Sequence, residues 1–239
     1  MFKNRSTTPE LMDDPNVDGS ALRRNLEELE FINKWLGGNE VVTHALDTLW
    51  RSGQINPELK NTLTIADLGS GGGDILREVA DWAFEKNINT TLTGVDANPV
   101  MIKYAQQKCS GVSNIYFLQS DVFAPEFREN QYDIVICSLF CHHFTDAQLQ
   151  QLFKQLKQQA KLAIIINDIH RHPFAYYSIK WLTYFFSRSY LVKNDAPLSV
   201  LRAFRRPELI RLFKATGFLK FQLRWQWAFR WQAILYPNH

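Results

Sequence analysis

Between Asp67 and Asp74 the chain reads Asp67-Leu68-Gly69-Ser70-Gly71-Gly72-Gly73-Asp74, directly after the apolar stretch Leu63-Thr64-Ile65-Ala66. A glycine-rich turn from a strand into a helix lets a ligand approach bare backbone. The dinucleotide fingerprint G-x-G-x-x-G needs a small residue where Asp74 stands, and no Lys-Ser or Lys-Thr pair follows, so neither that fingerprint nor a phosphate-cradling P-loop fits. The spacing that does fit is G-x-G-x-G preceded by an acidic residue, Asp67 to Gly73. Two further clusters could move protons: Cys141-His142-His143-Phe144 and Asp168-Ile169-His170-Arg171-His172, each placed after an apolar run. Histidine titrates near neutral pH, and a neighbouring carboxylate can orient it. Cys137, Cys141, His142 and His143 also lie close together, but their spacing matches no zinc pattern, so no metal is expected.

Three more strand ends extend the pattern. Thr91-Leu92-Thr93-Gly94-Val95 ends in Asp96 and Ala97, and Asn114-Ile115-Tyr116-Phe117-Leu118 ends in Gln119-Ser120-Asp121-Val122. The run Tyr132-Asp133-Ile134-Val135-Ile136-Cys137 closes on Ser138. With these four strand ends in order, residues 60 to 170 resemble the class I S-adenosylmethionine-dependent methyltransferases, in particular the small-molecule enzymes of quinone and polyketide-type pathways. The resemblance implies a doubly wound, mostly parallel seven-stranded α/β sheet and S-adenosyl-L-methionine as cofactor. It assigns the cofactor to Asp67, Gly69, Ser70, Gly71, Gly73, Asp96, Ala97, Asp121, Val122 and Ser138. Within that set Asp96 would accept from both ribose hydroxyls, Asp121 would meet the adenine amino group, and Ser138 would end beside the transferred methyl.

Methyl transfer from a sulfonium is an in-line displacement, so the protein's main task is alignment in a dry site. A hydroxyl or activated carbon nucleophile must still lose a proton. His143 and His170 are the expected bases, with Asp168 as a possible orienting partner, because open α/β sheets put ligands at the C-terminal ends of their strands. Arg171 and Arg202 could grip a substrate carboxylate bidentately or could be surface residues. His142, Tyr177 and Trp181 complete the expected substrate contacts.

The segment after Ser138 is Leu139-Phe140-Cys141, without the Asn/Asp-Pro-Pro-Tyr of amino-group nucleic-acid methyltransferases, and no Pro-Cys dipeptide offers a cytosine-attacking thiol. The expected acceptor is therefore a small hydrophobic phenol or acid, methylated on oxygen. Carbon methylation, or a cofactor-binding protein without transfer, are the alternatives.

Certain elements must position these residues. Helical patterns run Gly73 to Phe84, Pro99 to Lys108 and Thr145 to Gln158, the last with Leu149, Leu152, Phe153 and Leu156 on one face and Thr145 with Gln148 placed as a capping box. Asp18-Gly19-Ser20-Ala21 starts a helix that Gly37-Gly38 stops, and a second runs to Trp50. A fifth strand spans Leu162 to Asn167, and a helix opened by Pro207 runs to Ala215. After it come two antiparallel strands turning near Gln226. The intervening 171–206 insertion holds Pro173 to Phe186, crowded with aromatics, which a helix must bury against something. It is expected to roof the substrate pocket, with a membrane-surface contact as the lesser alternative because Lys180, Arg188 and Lys193 flank it.

One domain is expected over 1–239, comprising N-terminal helices at 1–58, the cofactor core at 60–170, the insertion at 171–206 and the closing elements at 207–239. A 46% hydrophobic content can bury one substantial core. Three cysteines without a C-x-x-C pair suit a reducing compartment, and the charged N-terminus and lack of a long apolar run suit a cytoplasmic chain. Oligomeric state is left open. Residues 1–169 carry 15 Lys/Arg against 22 Asp/Glu and residues 170–239 carry 12 against 2, so a net +3 divides into −7 and +10. Such a split can favour an anionic partner at the basic end, while solvated surface charge is the commoner explanation.

Overall fold

The computed structural model describes residues 1–14, 17–55 and 62–237. Its centre is one seven-stranded sheet: β1 (Leu63–Leu68), β2 (Thr90–Asp96), β3 (Ile115–Gln119), β4 (Tyr132–Ser138), β5 (Ala160–Ile169), β6 (Phe221–Gln226) and β7 (Arg230–Leu235). The strand order is β3-β2-β1-β4-β5-β7-β6. Pairings β1–β2, β1–β4, β2–β3 and β4–β5 are parallel, whereas β7 runs antiparallel to both of its neighbours, β5 and β6. The expected seven-stranded, mostly parallel α/β sheet is therefore present. The expected 58/60 segment boundary lies outside the described residues.

Helices cover both faces because both faces of the central strands are apolar, as buried parallel sheets require. On β4, Ile134 and Ile136 pack with Val42, Leu46 and Val79, from α2 (Glu40–Arg51) and α3 (Asp74–Glu85). Val135 and Cys137 point the other way, into Leu149, Leu152, Phe153 and Leu156 of α6 (Asp146–Gln159). All four α6 residues are fully buried, and the Thr145/Gln148 capping box forms as the sequence indicates. The expected Pro99–Lys108 helix is α4, opened by an Asn98 cap and Pro99. The short α5 (Pro125–Arg128) precedes β4.

The N-terminal helix α1 (Gly19–Trp35) begins on an Asp18 cap and is followed by Gly37 in a left-handed conformation at φ +67°. The insertion is two helices rather than one, α7 (Pro173–Phe186) and α8 (Tyr190–Arg202), with α9 (Arg206–Ala215) leading to β6. The expectation that α7 buries its aromatics is corrected. Phe174, Tyr177, Trp181, Tyr184, Phe185 and Phe186 are all at least 51% exposed. Small and aliphatic residues on the opposite side of the helix meet the protein instead. Among the described residues, no helix is long and apolar enough to cross a membrane.

Candidate active site

Two cavities meet at the C-terminal ends of β1, β4 and β5. The smaller, about 120 Å³, lies on the glycine turn and is bordered by Asp67, Gly69, Ser70, Gly71, Ser138 and Arg230. Gly69 and Gly71 stand at φ +68° and +50°, a region closed to most side-chain-bearing residues. A Cβ on Gly69 would collide with the Phe140 ring, whereas one on Gly71 would find only Leu26 Cδ2 at 3.6 Å. Gly71 thus faces the open space that a ligand needs.

Several polar atoms around this cavity have no protein partner. Asp67 is 1% exposed with Oδ1 unbonded, and the buried Ser70 Oγ and Asn167 Oδ1 are likewise free of partners. Burial, reinforced by Asp74 and Asp96, pushes the Asp67 carboxyl well above its usual range. Unpaired buried groups cost stability unless a ligand satisfies them, so this set, mostly acceptors, fits a polar, partly cationic cofactor. Asp96 accepts from Gly71 N–H at 3.1 Å and Asn98 N–H at 2.9 Å, and Asp121 accepts from Phe123 N–H at 2.9 Å. Asp96 ends β2, Ala97 follows it, and Asp121 and Val122 stand past the end of β3, all outside the lining of this cavity. Gly73, also outside it, caps α3 at φ +74°. Ser138 Oγ accepts from Asn167 Nδ2 at 2.9 Å.

The larger cavity, about 360 Å³, is mostly apolar. Ala175, Ser178, Ile179 and Leu182 of α7 form one wall, Ile32 and Trp35 of α1 another, and Trp227 with Phe229 of the β6–β7 turn a third. Leu139, Asn33, Met12 and Arg230 border both cavities. Leu139 holds φ +51°, uncommon for an apolar side chain and of the kind that clusters at functional sites.

At the polar wall of the larger cavity are Glu10, His142 and His143. His142 Nδ1 lies 2.8 Å from Asp168 Oδ1, its backbone N–H donates to Asp168 Oδ2 at 3.2 Å, and its Nε2 faces Glu10 Oε1 at 3.6 Å. Burial alone would raise the Asp168 carboxyl, but the His142 imidazole outweighs it and holds the group below its usual range. Glu10 in turn accepts from Ser199 Oγ at 2.9 Å and lies 3.8 Å from Arg202 Nε. His143 Nδ1 lies 3.1 Å from Asp13 Oδ1; burial opposes its charge, yet the Asp13 contacts raise its pKa overall. Glu10, His142 and His143 bring three possible ligand atoms within 4.8 Å of one another. Within the cluster Arg202 lies beside Glu10, and Asp168 pairs His142.

The sequence-derived assignments divide. Asp168 joins His142, which had been assigned to substrate, rather than His143 or His170. His170 lies outside the cavity lining, 4.7 Å from the Trp231 ring, and burial with nearby cations drops its pKa to about 4. Arg171 is 1% exposed and committed to protein: it donates to Phe2 O at 3.0 Å, Ala203 O at 2.5 Å and Glu208 Oε1 at 2.5 Å. Arg202 donates to His142 O at 3.1 Å, His143 O at 2.5 Å and Thr8 O. Both guanidiniums fasten backbone instead of lining the cavity, and Tyr177 and Trp181 point away from it, so the sequence-based substrate contacts at these four positions are corrected. Glu10 and Arg230 were missed. The N-terminal segment carries no motif that would single out Glu10. Arg230 appears in sequence only as one polar residue of an alternating strand. The Asp168–His142 meeting was foreshadowed by register, since Ser138 pairs with Asn167 and the residues beyond them share one sheet edge.

Residues 65–163 match the family described as "Methyltransferase domain". The chain is 29% identical over 137 residues to the ubiquinone/menaquinone biosynthesis C-methyltransferase UbiE of Wigglesworthia glossinidia brevipalpis, covering 53% of this chain and 52% of that one. It is 26% identical over 153 residues to UbiE of Shewanella piezotolerans, covering 59% and 60%. The chain thus spans little more than half the length of these curated relatives. Among solved structures, an O-methyltransferase family protein from Burkholderia thailandensis superposes with TM-score 0.66 at 14% identity, covering 97% of this chain and 65% of that one. The plantazolicin methyltransferase BpumL, in complex with SAH, superposes with TM-score 0.64 at 15% identity, covering 90% of each. Residues 65–163 are thus similar to a methyltransferase domain, and the fold as a whole is that of these solved structures.

Proposed function

We propose that this protein transfers a methyl group from S-adenosyl-L-methionine to the oxygen of a small hydrophobic phenol or acid held in the larger cavity. The observation that carries this reading is the junction: an apolar chamber roofed by α7 opens at Leu139 and Arg230 onto the glycine turn, with the Glu10–His142–Asp168 relay on its wall. The cofactor supplies an electrophilic methyl on a sulfonium. The backbone of Gly69 to Gly71 and the Asp67 carboxylate would hold it, with Asp96 and Ala97 toward the ribose and Asp121 and Val122 toward the base. Gly73 shapes the turn, and Ser138 would stand beside the reacting end.

His142, oriented by Asp168 through Nδ1, takes the acceptor proton at Nε2, and Glu10 stabilises the resulting imidazolium. His143 stands on the same wall as a second proton acceptor. The apolar walls exclude water, which strengthens each of these electrostatic contacts. The four segments, 1–58, 60–170, 171–206 and 207–239, act in this reading as one unit.

Carbon methylation is favoured instead by one comparison, since the UbiE relatives are named C-methyltransferases. The test is incubation with methyl-labelled S-adenosylmethionine and a panel of phenols, quinols and carboxylic acids, with the product's methylated atom read by mass spectrometry. O-methyl products support the proposal and C-methyl products the second reading. Micromolar cofactor binding in calorimetry without transfer to any acceptor would move the protein to a binding role.

A further inference from the structure

Arg230 is 5% exposed, and two of its donors, Nε and Nη1, have no partner in the protein. Only Nη2 is engaged, donating to Asn33 Oδ1 at 2.8 Å. The side chain reaches the cavities past Gly38, where a Cβ would stand 2.7 Å from Nη2, so the bare backbone there is what admits it. Burial lowers its pKa to about 10, which leaves it cationic at neutral pH. The same small cavity on the glycine turn is lined by Asp67, whose Oδ1 is also unpartnered. One buried guanidinium and one buried carboxyl, each with polar atoms left unpartnered, thus border a single space. An α-amino acid zwitterion satisfies both: its ammonium donates to Asp67 and its carboxylate accepts from the guanidinium fork.

We propose that Arg230, on the last strand of the sheet, is the carboxylate receptor for the amino-acid end of the cofactor, opposite Asp67. This assignment rests on the cofactor reading above. Calorimetric titration with S-adenosylhomocysteine, 5′-methylthioadenosine, S-adenosylmethionine and decarboxylated S-adenosylmethionine tests it without any turnover. The wild-type protein should bind each carboxylate-bearing ligand roughly 10- to 100-fold more tightly than its partner lacking that group, as charge-assisted hydrogen bonds imply. Arg230→Gln should erase most of that difference while leaving methylthioadenosine affinity unchanged, and Arg230→Lys should keep part of it. Equal wild-type affinity for S-adenosylmethionine and its decarboxylated form overturns the assignment, and that arm needs no folded variant. An Arg230→Gln protein that weakens methylthioadenosine as much as S-adenosylhomocysteine also overturns it, because the loss would then lie in the pocket as a whole. Binding of none of the four ligands removes the cofactor reading and this proposal with it, an outcome distinct from either of those.

The outer face of α7 carries a second, independent inference. Phe174, Tyr177, Trp181, Tyr184 and Phe185 recur at helical spacing, all at least 51% exposed, and the helix has no acidic residue. Lys180, Arg188 and Lys193 stand among and beyond them, within the segment of charge +10. Trp35 and Trp227, 69% and 68% exposed, border the mouth of the larger cavity. Aromatic rings with interspersed cations complement an anionic lipid surface, where rings seat at headgroup depth and cations meet phosphate.

The geometry points to α7 lying on an anionic bilayer. Co-sedimentation with phosphatidylcholine vesicles, with and without phosphatidylserine, should show binding that depends on the anionic lipid and is abolished in a Trp181→Ser/Phe185→Ser variant. Absence of binding, binding unchanged in the variant, or a self-association on gel filtration that the variant alone dissolves would each overturn it.

Discussion

At the scale of single residues, the glycine-turn cavity is bordered by buried polar groups that no protein partner fully satisfies. Asp67 shows the sign of the effect. Its carboxyl is held well above the ordinary range by burial first, then by Asp74 and Asp96. A group whose folded value is raised costs nothing below the unfolded value near about 4, and destabilises the fold progressively as pH rises from there toward the raised value. Asp67→Asn should therefore raise the thermal midpoint of the ligand-free protein by a few degrees at pH 7. That gain should vanish below about pH 4, while affinity for S-adenosylhomocysteine falls. A variant less stable than wild type at pH 7 would contradict the account.

His142 is tested through rate. His142→Asn should lower kcat by roughly 10²- to 10⁴-fold with cofactor affinity unchanged, and an unaltered kcat would remove the relay from the mechanism. Sequence reading reached the histidine cluster but did not pair His142 with Asp168, because side-chain direction past a strand end depends on a short turn, Cys141–His143, that no periodicity reveals.

At the scale of elements, what was legible followed from pattern and capping. The α6 helix has apolar residues at i, i+3, i+4 and i+7 and a reciprocal cap, and both appear as the pattern dictates. Thr145→Ala removes the acceptor for Gln148 N–H, at a cost of about 1 kcal/mol. In a chain this size the thermal midpoint should fall by about 2–4 °C, read by calorimetry, and cofactor affinity should be unaffected because α6 lies away from both cavities. The α7 element was legible as a helix but not in its orientation. Aromatic content alone suggests burial, yet the helix turns Ala175, Ser178, Ile179 and Leu182 to the cavity and the large rings outward. Composition measures how much apolar surface a helix has. Which face it turns inward depends on the room left beneath it, here set by α1 and the β6–β7 turn.

At the scale of the whole molecule, the first thirteen residues work as a strap against α8 and the segment after β4, and three arginines hold it. Arg5 donates to Arg202 O at 2.8 Å and to Phe144 O at 2.9 Å, while Arg202 reaches Thr8 O and lies 3.8 Å from Glu10. Asp195 of α8 accepts from Leu11 N–H at 2.8 Å and Met12 N–H at 3.0 Å. Through these contacts the strap carries Glu10, Met12 and Asp13 to the cavity wall, a long-range closure with no local sequence signature. Arg171 is the deepest of its anchors, fully engaged with Phe2 O, Lys3 O, Ala203 O and Glu208. Replacing it with Leu takes a donor from three backbone carbonyls and leaves Glu208, itself 29% exposed, with the Arg205 N–H, and unsatisfied buried acceptors cost about 1–3 kcal/mol each. Arg171→Leu should therefore lower the urea midpoint sharply. At temperatures where the variant remains folded, the loss of strap order should lower kcat more than it raises acceptor KM. The opposite pattern, a raised KM with stability intact, is what a substrate-gripping guanidinium would give, so one pair of measurements separates an arginine that builds the wall from one that binds at it.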